Sequence, residues 1–340
     1  MMNYIRIATI GLAGCLAAHS ALAADLEPVT GAFNYRLIAH MEGHSYWTTS
    51  IVFHPRHENI VVTSGGDSLV KMIDIAEQRV LWTAERQHNS GSYNLPAKFS
   101  PDGQWVVNSD RRGEIYFFAA QSGELLRTFV VPDAVAYWPV IAIEFSKDGR
   151  VVYLGRNGRI DAYSTETFEL LKTFTNGRGL TFDGVFVDQL NRIVGHSASD
   201  VVIWDSDMPS EHALSFDVSS ERPVGHVPEA RHAQGRYIFR TEGSSVGIVD
   251  VIAATYLRTC HHHIDHVFDV APSLDGRILI SASVDGTMQV VESATCRTLT
   301  SYAMVDSRGS SALAMSVNAS PSAEYIVLGL RGELAIFQRQ

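Results

Sequence analysis

The segment TCHHHIDHVFD, residues 259–269, gathers one cysteine and four histidines. Imidazoles and a thiol suit zinc or copper, which makes His262, His263 and His266 candidate metal ligands. Neighbouring residues of an extended chain point to opposite sides, so consecutive histidines converge poorly on one ion. No His-Glu-x-x-His motif and no spaced cysteine pair accompanies them. They are therefore expected to be exposed loop residues, with no metal and no cofactor. The chain also lacks a nucleophile elbow and a Walker phosphate loop, so no catalytic residue is assigned. What these histidines do depends on the elements that carry them.

The 340 residues are 46% apolar and 19% charged, enough to bury a core in one large domain or two ordinary ones. A formal net charge of −10 leaves no basic footprint for nucleic acid or anionic lipid. Beyond the first residues, no apolar run is long enough to span a membrane. The N-terminus has an Arg in MMNYIR, a short apolar stretch IATIGLAGCLAA, and small residues at Ala21 and Ala23. That is the pattern of an export signal, residues 1–23, cut before Ala24. The alternative lies inside it: LAGC resembles a lipobox, which would lipid-anchor the protein through Cys15. A periplasmic location is expected, soluble or anchored.

Seven stretches share one cadence of alternating residues bounded by Gly, Asp, Asn and Ser turns. Registered on a large apolar residue they give Ile73, Phe118, Tyr163, Trp204, Val249, Val291 and Phe337, spaced 41 to 46 residues apart. Such alternation signals short antiparallel strands. A further strand pair precedes these runs, as in LPAKFSPDGQWVVNSD and VIAIEFSKDGRVVYLG. Four strands in each of seven units predict an all-β fold, a seven-bladed β-propeller of four-stranded antiparallel blades. The seventh unit has only three strands of its own, and FNYRLIAHM before the first supplies the fourth. An N-terminal strand is thus expected to close the ring, with residues 24–340 as a single domain. The outer strands read as polar or short.

EGHSYWTTSIVFHP and VVTSGGDSLVKMID, with FSPDGQW, FSKDGRV and IWD, resemble the WD-repeat β-propellers. The resemblance implies that the His of the Gly-His pair bonds an Asp in the turn between the second and third strands. His44, nine residues before Phe53, would bond Asp67; His261, nine before Val270, would bond Asp285. Units two and three carry Arg112 and Asn157 where that Asp would be. Cys260 and Cys296 fall at opposite ends of two outer strands. A strand's length separates such ends by roughly 15–20 Å, beyond the disulfide limit of about 7 Å between Cα atoms. Two free thiols are expected.

Propellers of this kind mostly serve as interaction platforms, which implies a non-enzymatic, exported scaffold. Loops on one face carry Tyr46, Trp47, Tyr93, Tyr137 and Trp138, and turns near the central opening carry Arg111, Arg112, Arg156 and Arg331. Aromatics and arginine anchor interfaces, so these are the candidate partner-binding residues. Arginines around an opening favour a protein partner with an acidic or carboxylate-bearing element, bound by a monomer. The alternative is a propeller enzyme or electron-transfer subunit, holding a metal or cofactor at the top-face histidines and central funnel.

Overall fold

The computed structural model describes residues 26, 28–30, 32–86, 96–110, 112–132, 140–156, 158–175, 182, 184–197, 200–205, 214–217, 230–233 and 235–340. Residues 1–23, expected to be a leader, lie outside them. Unit one comprises β1 (Tyr35–His54), β2 (His57–Gly65), β3 (Leu69–Asp74) and β4 (Arg79–Glu85). Unit two comprises β5 (Ala97–Phe99), β6 (Trp105–Ser109), β7 (Glu114–Ala119) and β8 (Leu125–Val130). Unit three comprises β9 (Ala142–Phe145), β10 (Val151–Arg156), β11 (Arg159–Ser164) and β12 (Leu170–Thr175). Unit four comprises β13 (Gly184–Val187), β14 (Ile193–His196), β15 (Asp200–Trp204) and β16 (Leu214–Asp217). Unit five comprises β17 (Ala230–Ala233), β18 (Tyr237–Glu242), β19 (Ser245–Asp250) and β20 (Thr255–His261). Unit six comprises β21 (Val267–Pro272), β22 (Ile278–Ser283), β23 (Thr287–Glu292) and β24 (Arg297–Ala303). Unit seven begins with β25 (Ser316–Ala319), β26 (Tyr325–Gly329) and β27 (Arg331–Arg339).

Among the described residues, units two to six are each a four-stranded antiparallel sheet with neighbours in sequence order. The remaining sheet has seven strands, β25-β26-β27-β1-β2-β3-β4. It is two units spliced through β1. The half from Tyr35 to Glu42 pairs with β27 and the half from Thr48 to His54 pairs with β2, with the register broken between Glu42 and Trp47. First strands touch in series: β1 meets β5, β5 meets β9, and so on through β13, β17, β21 and β25, which meets β1.

The cores lie between sheets rather than at one centre. Val62, Val70, Met72 and Trp82 of unit one, for example, pack against Phe99, Val106, Tyr116 and Phe118 of unit two. The turn from third to fourth strand supplies a recurrent contact. Its left-handed residue is Gln78, Gly123, Phe168, Ala254 or Cys296, and in three units that residue meets the preceding unit. Gly123 lies under Trp82, where a Cβ would come within 2.7 Å of the indole. Phe168 and Phe117 meet edge to face, with centroids 5.1 Å apart.

Cys296 is the third case, and it is disulfide-bonded to Cys260 with Cα atoms 5.0 Å apart. The expectation of two free thiols is therefore corrected. It treated the outer strands as parallel to the inner ones. Successive strands rotate by roughly 20–25°, and three such steps swing the outer strand so that the end of β20 reaches the outer turn of the next unit.

The N-terminal segment runs along units five to seven. Leu26 packs into the core shared by units five and six, and Val29 and Phe33 pack against that of units six and seven. Val29 N–H donates to Glu292 Oε1 at 2.8 Å, and Arg277 donates to the Pro28 carbonyl at 2.8 Å. The outer strands of units one to four are not the polar edges expected, because Val80, Leu81, Leu125, Leu126, Leu170, Leu171 and Leu214 are exposed on them.

Candidate interaction face

Strand direction alternates within a unit, so second-to-third-strand turns and the loops entering each unit lie at one end of the sheets, the upper face. His44, in the register break of β1 that leads into unit one, is fully buried. Its Nδ1–H donates to Asp67 Oδ1 at 2.8 Å, and the Thr63 hydroxyl lies 3.0 Å from its Nε2. The carboxylate fixes the tautomer. Asp67 also accepts from the Ser45 and Leu69 N–H groups at 2.9 and 3.1 Å. Burial alone would raise its carboxyl, but these donors, His44 foremost, bring its pKa down to about 2. Gly65 makes room for the imidazole: a Cβ there would sit 2.4 Å from the ring. Residues 45–47 are thereby pinned to the turn below them.

Unit six repeats this tie with a different histidine. His263 Nδ1–H donates to Asp285 Oδ2 at 2.7 Å, and its Nε2 lies 2.9 Å from Ser281 Oγ. His261, expected in that role, instead has its Nδ1 2.7 Å from Ser245 Oγ and is exposed. Strand register explains the correction. Ile51 opposes Thr63 and Val270 opposes Ser281, so Val270 corresponds to Ile51 and not to Phe53. A one-residue slip turns every side chain over, but a two-residue slip leaves each on its own face. Alternation in the sequence is blind to it.

His262 and His263 are also not the exposed loop residues expected. His263 is buried, and His262 turns inward to put Nδ1 3.0 Å from the Cys260 carbonyl and Nε2 2.8 Å from Ser281 Oγ. Burial, with the neighbouring His263, lowers the His262 pKa to about 4, so the ring is neutral near pH 7. In unit one the residue after the outer strand is Arg86, likewise directed inward. It donates to the Gly65 and Ser109 carbonyls at 2.6 and 3.1 Å and to Asn108 Oδ1 at 3.1 Å. Burial lowers its pKa to about 10 against the opposing pull of Asp110 and Asp67. Its role was missed in the sequence, where a lone Arg after a strand looks like a surface residue. Of the four histidines only His261 and His266 are exposed. Among the described residues, no group of three or more His, Cys, Asp or Glu side chains is arranged to hold a metal.

The tie in unit one holds up an exposed cluster. Tyr46 is 43% exposed, and Trp47 lies beneath the Arg331 guanidinium, 6.0 Å from the ring centroid. The loop entering unit seven reaches the same hairpin, where the Ser307 N–H donates to Glu333 Oε1 at 3.1 Å. Arg308 beside it is largely exposed. Ile264, next to the tie in unit six, and Leu313 are also exposed on this face; neither stood out in the sequence because single apolar residues in loops are common. Arg112 is exposed, its N–H donating to Asp110 Oδ1 at 2.8 Å. Arg156 corrects the expectation of an available guanidinium. It is 5% exposed and holds Asp161 Oδ2 at 2.8 Å inside unit three. Tyr93, Arg111, Tyr137 and Trp138 lie outside the described residues.

Residues 35–74 and 254–291 match the family described as WD domain, G-beta repeat. Each match begins with an outer strand, the first half of β1 or β20, and ends with the third strand of the next unit, β3 or β23. These are the two segments that contain the His–Asp ties. The chain is similar to WD repeats in these two segments. It is 25% identical over 222 residues to the Periodic tryptophan protein 2 homolog of Dictyostelium discoideum, covering 60% of this chain and 22% of that protein. It is 23% identical over 148 residues to the Guanine nucleotide-binding protein subunit beta-like protein of Encephalitozoon cuniculi, covering 38% of this chain and 43% of that one. The chain thus spans less than half the length of these curated relatives.

Proposed function

We propose that this chain is an exported, non-enzymatic protein-binding scaffold, built as a seven-bladed WD-repeat propeller and closed where β1 completes the unit begun by β25. The serial contacts of the first strands and the pairing of β1 with β27 support the ring. The disulfide supports an oxidising compartment, consistent with a leader cut before Ala24 and a periplasmic location. One observation carries the binding face: Tyr46 and Trp47 lie on the segment of β1 pinned by the His44–Asp67 tie, and Arg331 at the start of β27 covers the Trp47 ring. Rigid aromatics beside arginine lose little entropy on docking and supply hot spots. Arg331 and Arg308 favour an acidic or carboxylate-bearing element in the partner.

The test is co-purification of the partner captured by the wild-type chain. A Trp47→Ala, Arg331→Ala variant should lose it, while Leu274→Ala, at an exposed leucine in a first-to-second-strand turn of unit six, should retain it. Equal capture by all three chains would sink the upper-face assignment. Intact mass of the secreted chain checks the leader: a diacylglyceryl-modified Cys15 at the N-terminus would replace the soluble form with an anchored one.

A further inference from the structure

Exposed large aliphatic side chains on the outer strands are confined, among the described residues, to units one to four. Their origin is a bulge. In each of five outer strands one leucine is the extra residue that the third strand does not oppose: Leu81, Leu126, Leu171, Leu257 or Leu299. Leu257 and Leu299 are partly buried in the cores that also take Leu26, Val29 and Phe33 of the N-terminal segment. Leu81, Leu126 and Leu171 have no such cover and are 38%, 49% and 58% exposed.

In units two and three each exposed pair is flanked by opposite charges: Glu124-Leu125-Leu126-Arg127 and Glu169-Leu170-Leu171-Lys172. The cations are held at the rim, Arg127 over the Phe168 ring at 4.3 Å and Lys172 over Phe174 at 4.8 Å. Acid-Leu-Leu-base is self-complementary. Laid antiparallel on a second copy of itself, it sets leucine against leucine and each acid opposite a base. A two-fold axis between neighbouring outer strands would satisfy both segments at once, which is the geometry of an isologous interface. The bulges interrupt the edge hydrogen-bond ladder, so the contact is made by side chains and not by strand addition.

We propose that β8 and β12 form a docking surface for a second copy of this chain, with Leu125, Leu126, Leu170 and Leu171 at its centre and Glu124, Arg127, Glu169 and Lys172 as its charged rim. This sets aside the expectation of a monomer and is independent of the upper-face partner.

Sedimentation equilibrium of the full chain tests it. The wild-type chain should sediment as a reversible dimer, and Leu126→Asp with Leu171→Asp should abolish the dimer. Ile264→Asp, at a still more exposed upper-face residue, should leave it intact. Arg127→Glu with Lys172→Glu should also dissociate the dimer, and adding Glu124→Lys and Glu169→Lys should restore it. This charge swap carries the test alone if the aspartates disturb folding. A wild-type monomer at every concentration, dimers that persist in the Asp or Glu variants, dissociation by Ile264→Asp, or failure of the swap to restore association would each overturn the proposal.

Discussion

The junction between units one and two and the junction between units five and six use the same contact with different chemistry. At the first, the Trp82 indole covers Gly123 and donates to the Ala120 carbonyl at 2.7 Å. At the second, Cys260 and Cys296 occupy the corresponding outer strand and outer turn and are covalently joined. The residue at the left-handed turn position decides which chemistry is possible. Glycine admits a large ring from the neighbour, whereas cysteine offers a short side chain that needs a short partner. A repeat fold can therefore vary the strength of its seams without altering the strands beside them.

The largest effect is expected where a packed ring, and no covalent bond, holds the seam. Trp82→Ala should cost about 3–5 kcal/mol, as large aromatic deletions from cores do, read as a lower urea midpoint at unchanged slope. Replacing both Cys260 and Cys296 by Ser should cost about 2–4 kcal/mol, the usual range for a lost disulfide. Adding reductant should lower the wild-type midpoint to that of the double Ser variant and leave the variant unmoved. The two seams are distant, so the costs of Trp82→Ala and of the double Ser change should add. Marked non-additivity would mean that the seams do not act independently.

The polar ties sharpen the comparison at smaller scale. His263→Ala leaves the Asp285 carboxylate short of a donor and should cost about 1–3 kcal/mol, as should His44→Ala. His261→Ala should stay within about 0.5 kcal/mol, the range of surface changes. The reverse order in thermal melts would contradict the register given for unit six.

The smallest effect is a pH slope to which His262 of unit six contributes. His262 has its pKa lowered from 6.5 to about 4 by burial. Between those values the unfolded chain binds the proton and the folded chain does not, so stability falls as pH drops from 6.5 toward 4. Asp67 of unit one, lowered from 3.8 to about 2, loses its contribution only below that window. Denaturation midpoints of His262→Gln should be flatter than wild type between pH 6.5 and 4 and parallel to it at lower pH. A wild-type slope that survives the substitution would assign it to another group.

Strand alternation and turn residues made the four-stranded units legible, because a half-buried strand must alternate and a tight turn must be permissive. The tie of His44 to Asp67 was legible through the resemblance to WD-repeat propellers, whose Gly-His pair and Ser-Gly turn stand in this sequence. Three features were not. The His263 assignment depended on a two-residue register that alternation cannot sense. The disulfide depended on accumulated twist, a property of whole sheets that no local pattern carries. Arg86 depended on backbone carbonyls of two adjacent units, and carbonyls have no letter in a sequence. Of the proposed interface, Glu124, Leu125, Leu126 and Arg127 were visible as a string, but whether Leu126 was covered was not.

The strand β1 adds a matter of timing. Tyr35 opposes Arg339, so the first half of β1 has its partner some three hundred residues later in the chain. At roughly 5–20 residues per second, synthesis leaves about 15–60 s between the emergence of one and the other. Through that interval the half from Tyr35 to Glu42 has a full row of unsatisfied N–H and C=O groups, and any strand that reaches it first can take its place. Ribosome-stalled chains lacking β27 should be cut by protease within residues 35–42, and full-length chains should resist. Whatever binds nascent chains in the cell has this segment to guard while every later unit is completed.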